Sequence, residues 1–199
     1  MKKTLIRGRW LVALVACSGL LASGCPCIGN RVMVPDPALQ SAIRAELGLP
    51  FGCLSETELL ALKELQASGL AIRSLEGLQF AENLVTLNVS NNSIQSVSPL
   101  SNLQQLTDLD LSTNEITFIE ALQGLRFLET LFLQGNAIGD WSPLRVNAAT
   151  GGFPVGGLVI VDKEATEDEN GNLLPGFQQA QDALVARGVD VLREDATAN

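Results

Sequence analysis

The chain has 199 residues, with 22 Asp and Glu against 13 Lys and Arg, a formal net charge of −9, and no histidine or tyrosine. This acidic balance argues against nucleic acid or anionic lipid as a binding partner, because both are bound by basic patches. The lack of histidine excludes histidine-based catalytic triads and histidine metal sites. We therefore expect a protein that is not an enzyme and that needs no cofactor or metal.

Residues 1–24 have the features of an export signal. A basic start (KKTLIRGR) precedes an apolar run from Trp10 to Leu21, and small residues then lead to Cys25. The run is shorter than the roughly 20 residues that a membrane-spanning helix needs. The ending resembles a bacterial lipoprotein signal, which implies that Cys25 carries a lipid. Lipid on Cys17, or cleavage without a lipid, are the alternatives.

The remaining cysteines agree with export. If Cys17 leaves with the signal and Cys25 carries the lipid, Cys27 and Cys53 form an even pair in an oxidising compartment. We predict a disulfide between them that closes the N-terminal end of the domain. Zinc is the weaker alternative, since two thiols without histidine fall short of four ligands. Residues 25–33 are predicted to be a short tether.

Residues 34–61 are predicted to form a helical N-terminal cap. Asp36-Pro37 is a typical helix start, with aspartate as the N-cap and proline at the first helical position. Gly48 then ends this helix. The sequence from Ser55 to Glu58 (SETE) matches a capping box and predicts a second short helix.

Residues 62–149 repeat with a period of 22. The third repeat reads LTDLDLSTNEITFIEALQGLRF, and its L-x-L alternation predicts a short strand with inward leucines. An asparagine follows, whose amide can bond the backbone groups of the turn. The period-three remainder predicts an extended or 3₁₀ return segment. The first repeat is degenerate and has Leu70 where the others have Asn92, Asn114 and Asn136.

This L-x-x-L-x-L-x-x-N-x-I pattern is the leucine-rich repeat signature. With the preceding PDPALQSAIRAELGLP and SETELLALKELQASGLAIRSLEGL, the repeats resemble bacterial internalin-like leucine-rich repeat proteins. The resemblance implies an α/β solenoid with a curved parallel sheet of about five to six short strands, capped at both ends. It also implies that the concave face binds a protein partner.

Residues 150–199 are predicted to form an αβ C-terminal cap. The glycine-rich stretch from Asn147 to Gly157 predicts a loop. Leu158-Val159-Ile160-Val161 predicts a strand, and we expect Leu158 and Ile160 at its inward positions. A helix from Pro175 to Arg187 and a last strand from Val189 to Leu192 follow, and ALVARGVDVL resembles the closing segment of this repeat family.

The acidic stretch before that helix has a partial calcium-loop spacing. Thr166, Asp168 and Asn170 fall at positions one, three and five of an EF-hand-like loop. Position one is not aspartate, however, and position twelve is Phe177 rather than glutamate. We therefore predict a solvated acidic loop and no metal site.

The candidate binding surface is the concave face, where side chains between the strand leucines point to solvent and stack across repeats. Phe132 is the first candidate for an interface anchor, since nothing in the pattern buries it. We expect its column to continue with Val159, and the alternative is that the C-terminal cap covers Phe132. The predicted partner-binding residues are Thr86, Asn88, Asp108, Asp110, Thr130 and Phe132.

Two functions fit these features. The first is a non-catalytic module that recognises a protein or peptide and is tethered by its lipid to the cell envelope, at the outer membrane or the cell surface. The second is a structural envelope lipoprotein without a dedicated ligand. Catalysis is disfavoured because Asp108 and Asp110 on an open sheet lack the burial that would tune a general acid.

Overall fold

The computed structural model describes residues 30–195. The predicted signal and the candidate residues Cys17, Cys25 and Cys27 lie outside this range. Within it, no helix is both long and apolar enough to cross a membrane. Three 3₁₀ helices lie at Leu78–Phe80, Ser98–Leu100 and Glu120–Gly124. The strands and α-helices, in chain order, are β1 (Arg31–Val32), α1 (Pro37–Glu46), β2 (Leu54–Ser55), α2 (Glu56–Leu59), β3 (Glu64–Gln66), β4 (Thr86–Asn88), β5 (Asp108–Asp110), β6 (Thr130–Phe132), α3 (Ser142–Ala149), β7 (Leu158–Asp162), α4 (Pro175–Ala186) and β8 (Asp190–Glu194).

A six-stranded parallel sheet, ordered β3-β4-β5-β6-β7-β8, runs through the molecule. The central leucines of the first four strands pair in register and are buried, so each strand repeats the previous one 22 residues later. The 3₁₀ helices form the return segments of the first three repeats, as predicted. The predicted leucine-rich repeat solenoid is thus confirmed. The paired leucines are Leu65, Leu87, Leu109 and Leu131.

The asparagines join consecutive repeats. Asn114 Oδ1 accepts a hydrogen bond from Ile94 N at 3.0 Å, and its Nδ2 donates to Val89 O and Leu111 O, each at 3.0 Å. Asn92 and Asn136 donate and accept in the same way. The first repeat needs no asparagine because no repeat precedes it, and Leu70 at that position is 44% exposed.

Asp36 fixes the N-terminal cap to the first repeat. Its Oδ1 accepts from Ala38 N and Leu39 N at the start of α1, and its Oδ2 accepts from Arg73 N and Ser74 N. Burial raises the pKa of this carboxyl, but the four backbone N–H groups outweigh it and the pKa is lowered. Asp36 is therefore the predicted N-cap of α1 and also links the N-terminal cap to the first repeat by hydrogen bonds.

The other predicted features of the cap are present, with one difference. Gly48 has φ +64° just after α1, and Ser55 and Glu58 form the predicted capping box. Residues 31–33 were expected to belong to the tether, but β1 pairs antiparallel with β2 and Val32 is buried. This part of the chain belongs to the cap.

The return segment of the fourth repeat is an α-helix. Asn147–Ala149 were predicted to begin a loop, but they form the last turn of α3, so that prediction is wrong. Asn147 is fully buried and donates to Leu122 O and Leu125 O, which attaches the helix to the preceding return segment. Helix α4 packs against α3 and stabilises it. The ring of Trp141, at the start of α3, contacts the ring of Phe177 in α4 edge-to-face, with 5.1 Å between the ring centroids.

The side-chain register of β7 is the reverse of the predicted one. Val159 pairs with Leu131, so Val159 and Val161 face the core, and both are fully buried. Leu158 and Ile160 therefore lie on the concave face and not at the inward positions. The error arises because α3 and the loop after it lengthen the return, which shifts the strand by one residue more than expected.

In the earlier repeats, a backbone hydrogen bond joins the turn after each strand to the turn of the next repeat, and at Asp162 a side chain takes part instead. At the equivalent positions of earlier repeats, Asn91 N donates to Ser112 O and Thr113 N donates to Gln134 O. Gly135 N instead donates to the side chain of Asp162, to Oδ2 at 2.6 Å, while the carbonyl of Asp162 accepts from the hydroxyl of Thr166. The carboxylate of Asp162 in β7 thus takes the role that a backbone carbonyl has in the earlier repeats.

Candidate functional site

All six predicted partner-binding residues lie on the concave face, in two columns that run across the strands. The pairing between strands shows which residues belong to each column. Phe132 pairs with Ile160, so Ile160, and not Val159, continues the column of Phe132. Neither column contains lysine or arginine. From β4 to β8 the first is Thr86, Asp108, Thr130, Leu158, Asp190 and the second is Asn88, Asp110, Phe132, Ile160, Leu192.

The polar half of this face is held by hydrogen bonds to its own hydroxyl and backbone groups. Asp108 accepts from the hydroxyls of Thr107 at 2.7 Å and Thr130 at 2.9 Å. Asp110 Oδ1 accepts from the backbone N–H and the hydroxyl of Ser112, at 3.0 and 2.6 Å. Asp110 Oδ2 makes no hydrogen bond to any described residue, so it is available to a ligand.

The apolar half lies directly beside these carboxylates. Phe132 and Leu158 are partly exposed, Leu192 is 48% exposed, and Ile160 between them is 7% exposed. We call Phe132, Leu158, Ile160 and Leu192 the apolar patch. Its members occupy the neighbouring strands β6, β7 and β8, and the buried Ile160 lies between the partly exposed side chains.

The C-terminal helix does not cover this patch. Phe177 and Leu184 of α4 pack into the core with Val159 and Val161, on the opposite side of the sheet from Ile160. Phe132 therefore stays partly open to solvent. The sequence pattern found Phe132 but missed the rest of the patch, because four consecutive apolar residues in β7 do not reveal which two face outward.

A second concavity lies at the edge where the strands begin. Its volume is about 470 Å³, and Arg126, Phe127, Glu129 and Arg187 line it with four neighbouring residues. Arg187 Nη2 donates to the carbonyls of Gly151 and Phe153, and Phe127 is 59% exposed. This groove mixes both charges and was not predicted.

The acidic loop is organised by its own hydrogen bonds. Asp168 accepts from the backbone N–H groups of Asn172 and Asn170, and the Asn172 bond is the first cause of its lowered pKa. Thr166, expected at the first ligand position, is buried and donates to Asp162 O. Among residues 30–195, no group of three candidate metal-binding side chains comes together.

Cys53 is in a disulfide bond. Its partner lies outside the described residues, and the pairing of Cys53 with Cys27 stays a prediction.

Comparison with known proteins agrees with this fold. Residues 82–138 match the leucine rich repeat family model, and no curated protein matches the chain significantly. The chain is similar to an internalin, inlF, from Listeria monocytogenes, with 30% identity, a TM-score of 0.62, and coverage of 72% of this chain and 48% of that one. The chain is also similar to a second internalin from that organism, inlC2, with 27% identity and a TM-score of 0.59. The match covers 71% of this chain and 63% of that one. The chain thus has the leucine-rich repeat fold, resembles bacterial internalins, and spans less than two thirds of either.

Proposed function

We propose that this protein is a non-catalytic recognition module that binds a protein or peptide on the concave face of its sheet. The observation that carries the proposal is the apolar patch, whose Phe132, Leu158 and Leu192 side chains are partly exposed on a face that is otherwise polar. Exposed apolar side chains that form one group on a soluble protein are typical of interaction sites, and aromatic anchors often dominate them. The similarity to internalins, a repeat fold suited to protein partners, supports the same function.

A catalytic role is a poorer match to this face. Both carboxylates of the polar half accept hydrogen bonds from hydroxyl groups on an open sheet. They lack the enclosed, desolvated surroundings that are typical of a catalytic acid. Asp108 and Asp110 are better suited to hold a positively charged group of a partner.

The same proposal includes export and attachment to the cell envelope through a lipid on Cys25. It is supported by the signal-like sequence of residues 1–24 and by the disulfide at Cys53, since disulfides persist in oxidising compartments. The N-terminal cap adjoins β3, whereas the apolar patch lies on β6 to β8 at the other end of the sheet. A lipid anchor at the N-terminus would therefore leave the patch on the side away from the membrane.

The test is affinity capture with cross-linking in intact cells of the source organism. Wild type is compared with Phe132→Ala, and Phe118→Ala serves as the matched control because Phe118 is a 66% exposed aromatic outside the concave face. We expect a partner that wild type and Phe118→Ala enrich and that Phe132→Ala loses. The same background with all three folded proteins would instead favour the structural envelope lipoprotein.

A further inference from the structure

We propose that the concave face binds an extended peptide segment that has a basic residue and two large apolar residues at alternate positions, with the basic residue at either end of the three. The segment would cross β5 to β8 with its basic residue at Asp108 and Asp110 and its apolar residues on the apolar patch. This inference rests on the proposed function and specifies the chemistry of the partner.

The charge of the occupant follows from the carboxylates. Neither column of the concave face contains a basic residue that could neutralise Asp108 or Asp110, and neither aspartate has an ion pair among residues 30–195. Complementary charge suppresses wrong partners and speeds association. A lysine or arginine next to an apolar segment satisfies the aspartates, whereas an acidic segment would be repelled.

The spacing of the occupant follows from the sheet. Neighbouring strands are about 4.8 Å apart, so Asp110 on β5 and Leu192 on β8 are separated by three steps, or about 14 Å. An extended peptide rises about 3.3 Å per residue, so residues i and i+4 span about 13 Å. Residues i, i+2 and i+4 share one side of the peptide. They therefore reach Asp110, the Phe132–Ile160 boundary, and Leu192 in turn.

Two other occupants share the wrong charge. A second copy placed face to face would offer the aspartates no basic side chain from either column, and the chain as a whole carries −9. An anionic membrane surface would be repelled for the same reason. The acidic half of the face thus favours a basic and apolar peptide over both.

The experiment is selection of a random peptide library displayed on phage against the purified protein. Parallel selections use Phe132→Ala, Asp110→Asn, and the controls Phe118→Ala and Asp182→Asn, which lie off the concave face. Asp110→Asn removes the charge but keeps the fold, because Asn88 occupies the same column and bonds Ser90 just as Asp110 bonds Ser112. Selected peptides are then titrated against each variant at low and high salt.

We expect enriched peptides with the pattern basic-x-apolar-x-apolar, or its reverse. Phe132→Ala and Asp110→Asn should each weaken their binding about five- to tenfold, and salt should weaken it further. Both controls should bind like wild type.

Two results would overturn the inference in distinguishable ways. Peptides that depend on Phe132 but are neutral or acidic, with no loss in Asp110→Asn, would refute the partner chemistry and leave the proposed binding face intact. Failure to enrich any peptide that Phe132→Ala loses would count against both.

Discussion

The asparagine ladder predicts a stability coupling that simple hydrogen-bond counting would miss. Val89 O accepts from two amides, that of Asn92 in its own repeat and that of Asn114 in the next. Removing either asparagine leaves this carbonyl with one donor, whereas removing both leaves it with none. Asn92→Ala and Asn114→Ala should therefore destabilise the protein together by more than the sum of their separate effects.

The magnitude follows from the bonds lost. Asn114→Ala leaves Ile94 N without its acceptor, at a cost of about 1–3 kcal/mol, and removes further bonds to carbonyls that keep a second donor. We estimate a loss of about 2–4 kcal/mol in the free energy of unfolding for Asn114→Ala. Asn92→Ala should cost more, because it removes the acceptor of both Leu70 N and Ile72 N and the amide that donates to Ala67 O. The double variant should lose about 1–2 kcal/mol more than their sum, because Val89 O becomes unsatisfied.

The assay is urea unfolding followed by circular dichroism, with Asn102→Ala as the control. Asn102 is exposed and its side chain makes no hydrogen bond to the described residues, so its loss should stay within about 0.5 kcal/mol. Purely additive effects of Asn92→Ala and Asn114→Ala would refute the shared-carbonyl argument. A loss for Asn114→Ala no larger than that for Asn102→Ala would refute the structural role of the ladder itself.

Two further predictions concern the ends of the solenoid. Asp36→Asn should destabilise the protein at neutral pH, and the difference from wild type should shrink in acid. Because the pKa of Asp36 is lowered in the folded protein, its contribution to stability is complete above the unfolded pKa of about 3.9 and is lost as pH falls through the folded pKa. Thermal melts at pH 7 and pH 3 measure this. The same difference in Tm between wild type and Asp36→Asn at both pH values would contradict it. Asp162→Ala should lower the free energy of unfolding by about 1–3 kcal/mol, because it leaves Gly135 N without an acceptor. Asp162→Asn keeps an acceptor oxygen and should retain most of that stability. Denaturant midpoints compare the two variants, and equal losses would show that this bond is unimportant.

The repeat pattern predicted most of the solenoid because its physical signals are local. Alternating leucines identify the strands, and an asparagine at fixed spacing identifies each turn, so β3 to β6 follow from the sequence. In β7 this signal fails. Leu158 to Val161 are all apolar, and only pairing with β6 decides that Ile160 faces the concave side.

The same limit applies to the binding face and the C-terminal cap. Phe132 could be found because it interrupts a polar column, but Leu192 joins the patch only through the register of β7 and β8. Asp162 ends β7, and its bond to Gly135 depends on how β7 pairs with the last regular repeat. Nothing in the local sequence around either residue indicates these contacts.

The most direct test of the proposed binding face is site-specific photo-cross-linking in intact cells. A photoreactive phenylalanine analogue replaces Phe132 in one protein and Phe118 in another, which keeps an aromatic side chain at both positions. We expect a discrete covalent adduct with another polypeptide from position 132 and none from position 118. No adduct from position 132, or the same adducts from both positions, would contradict recognition through the concave face.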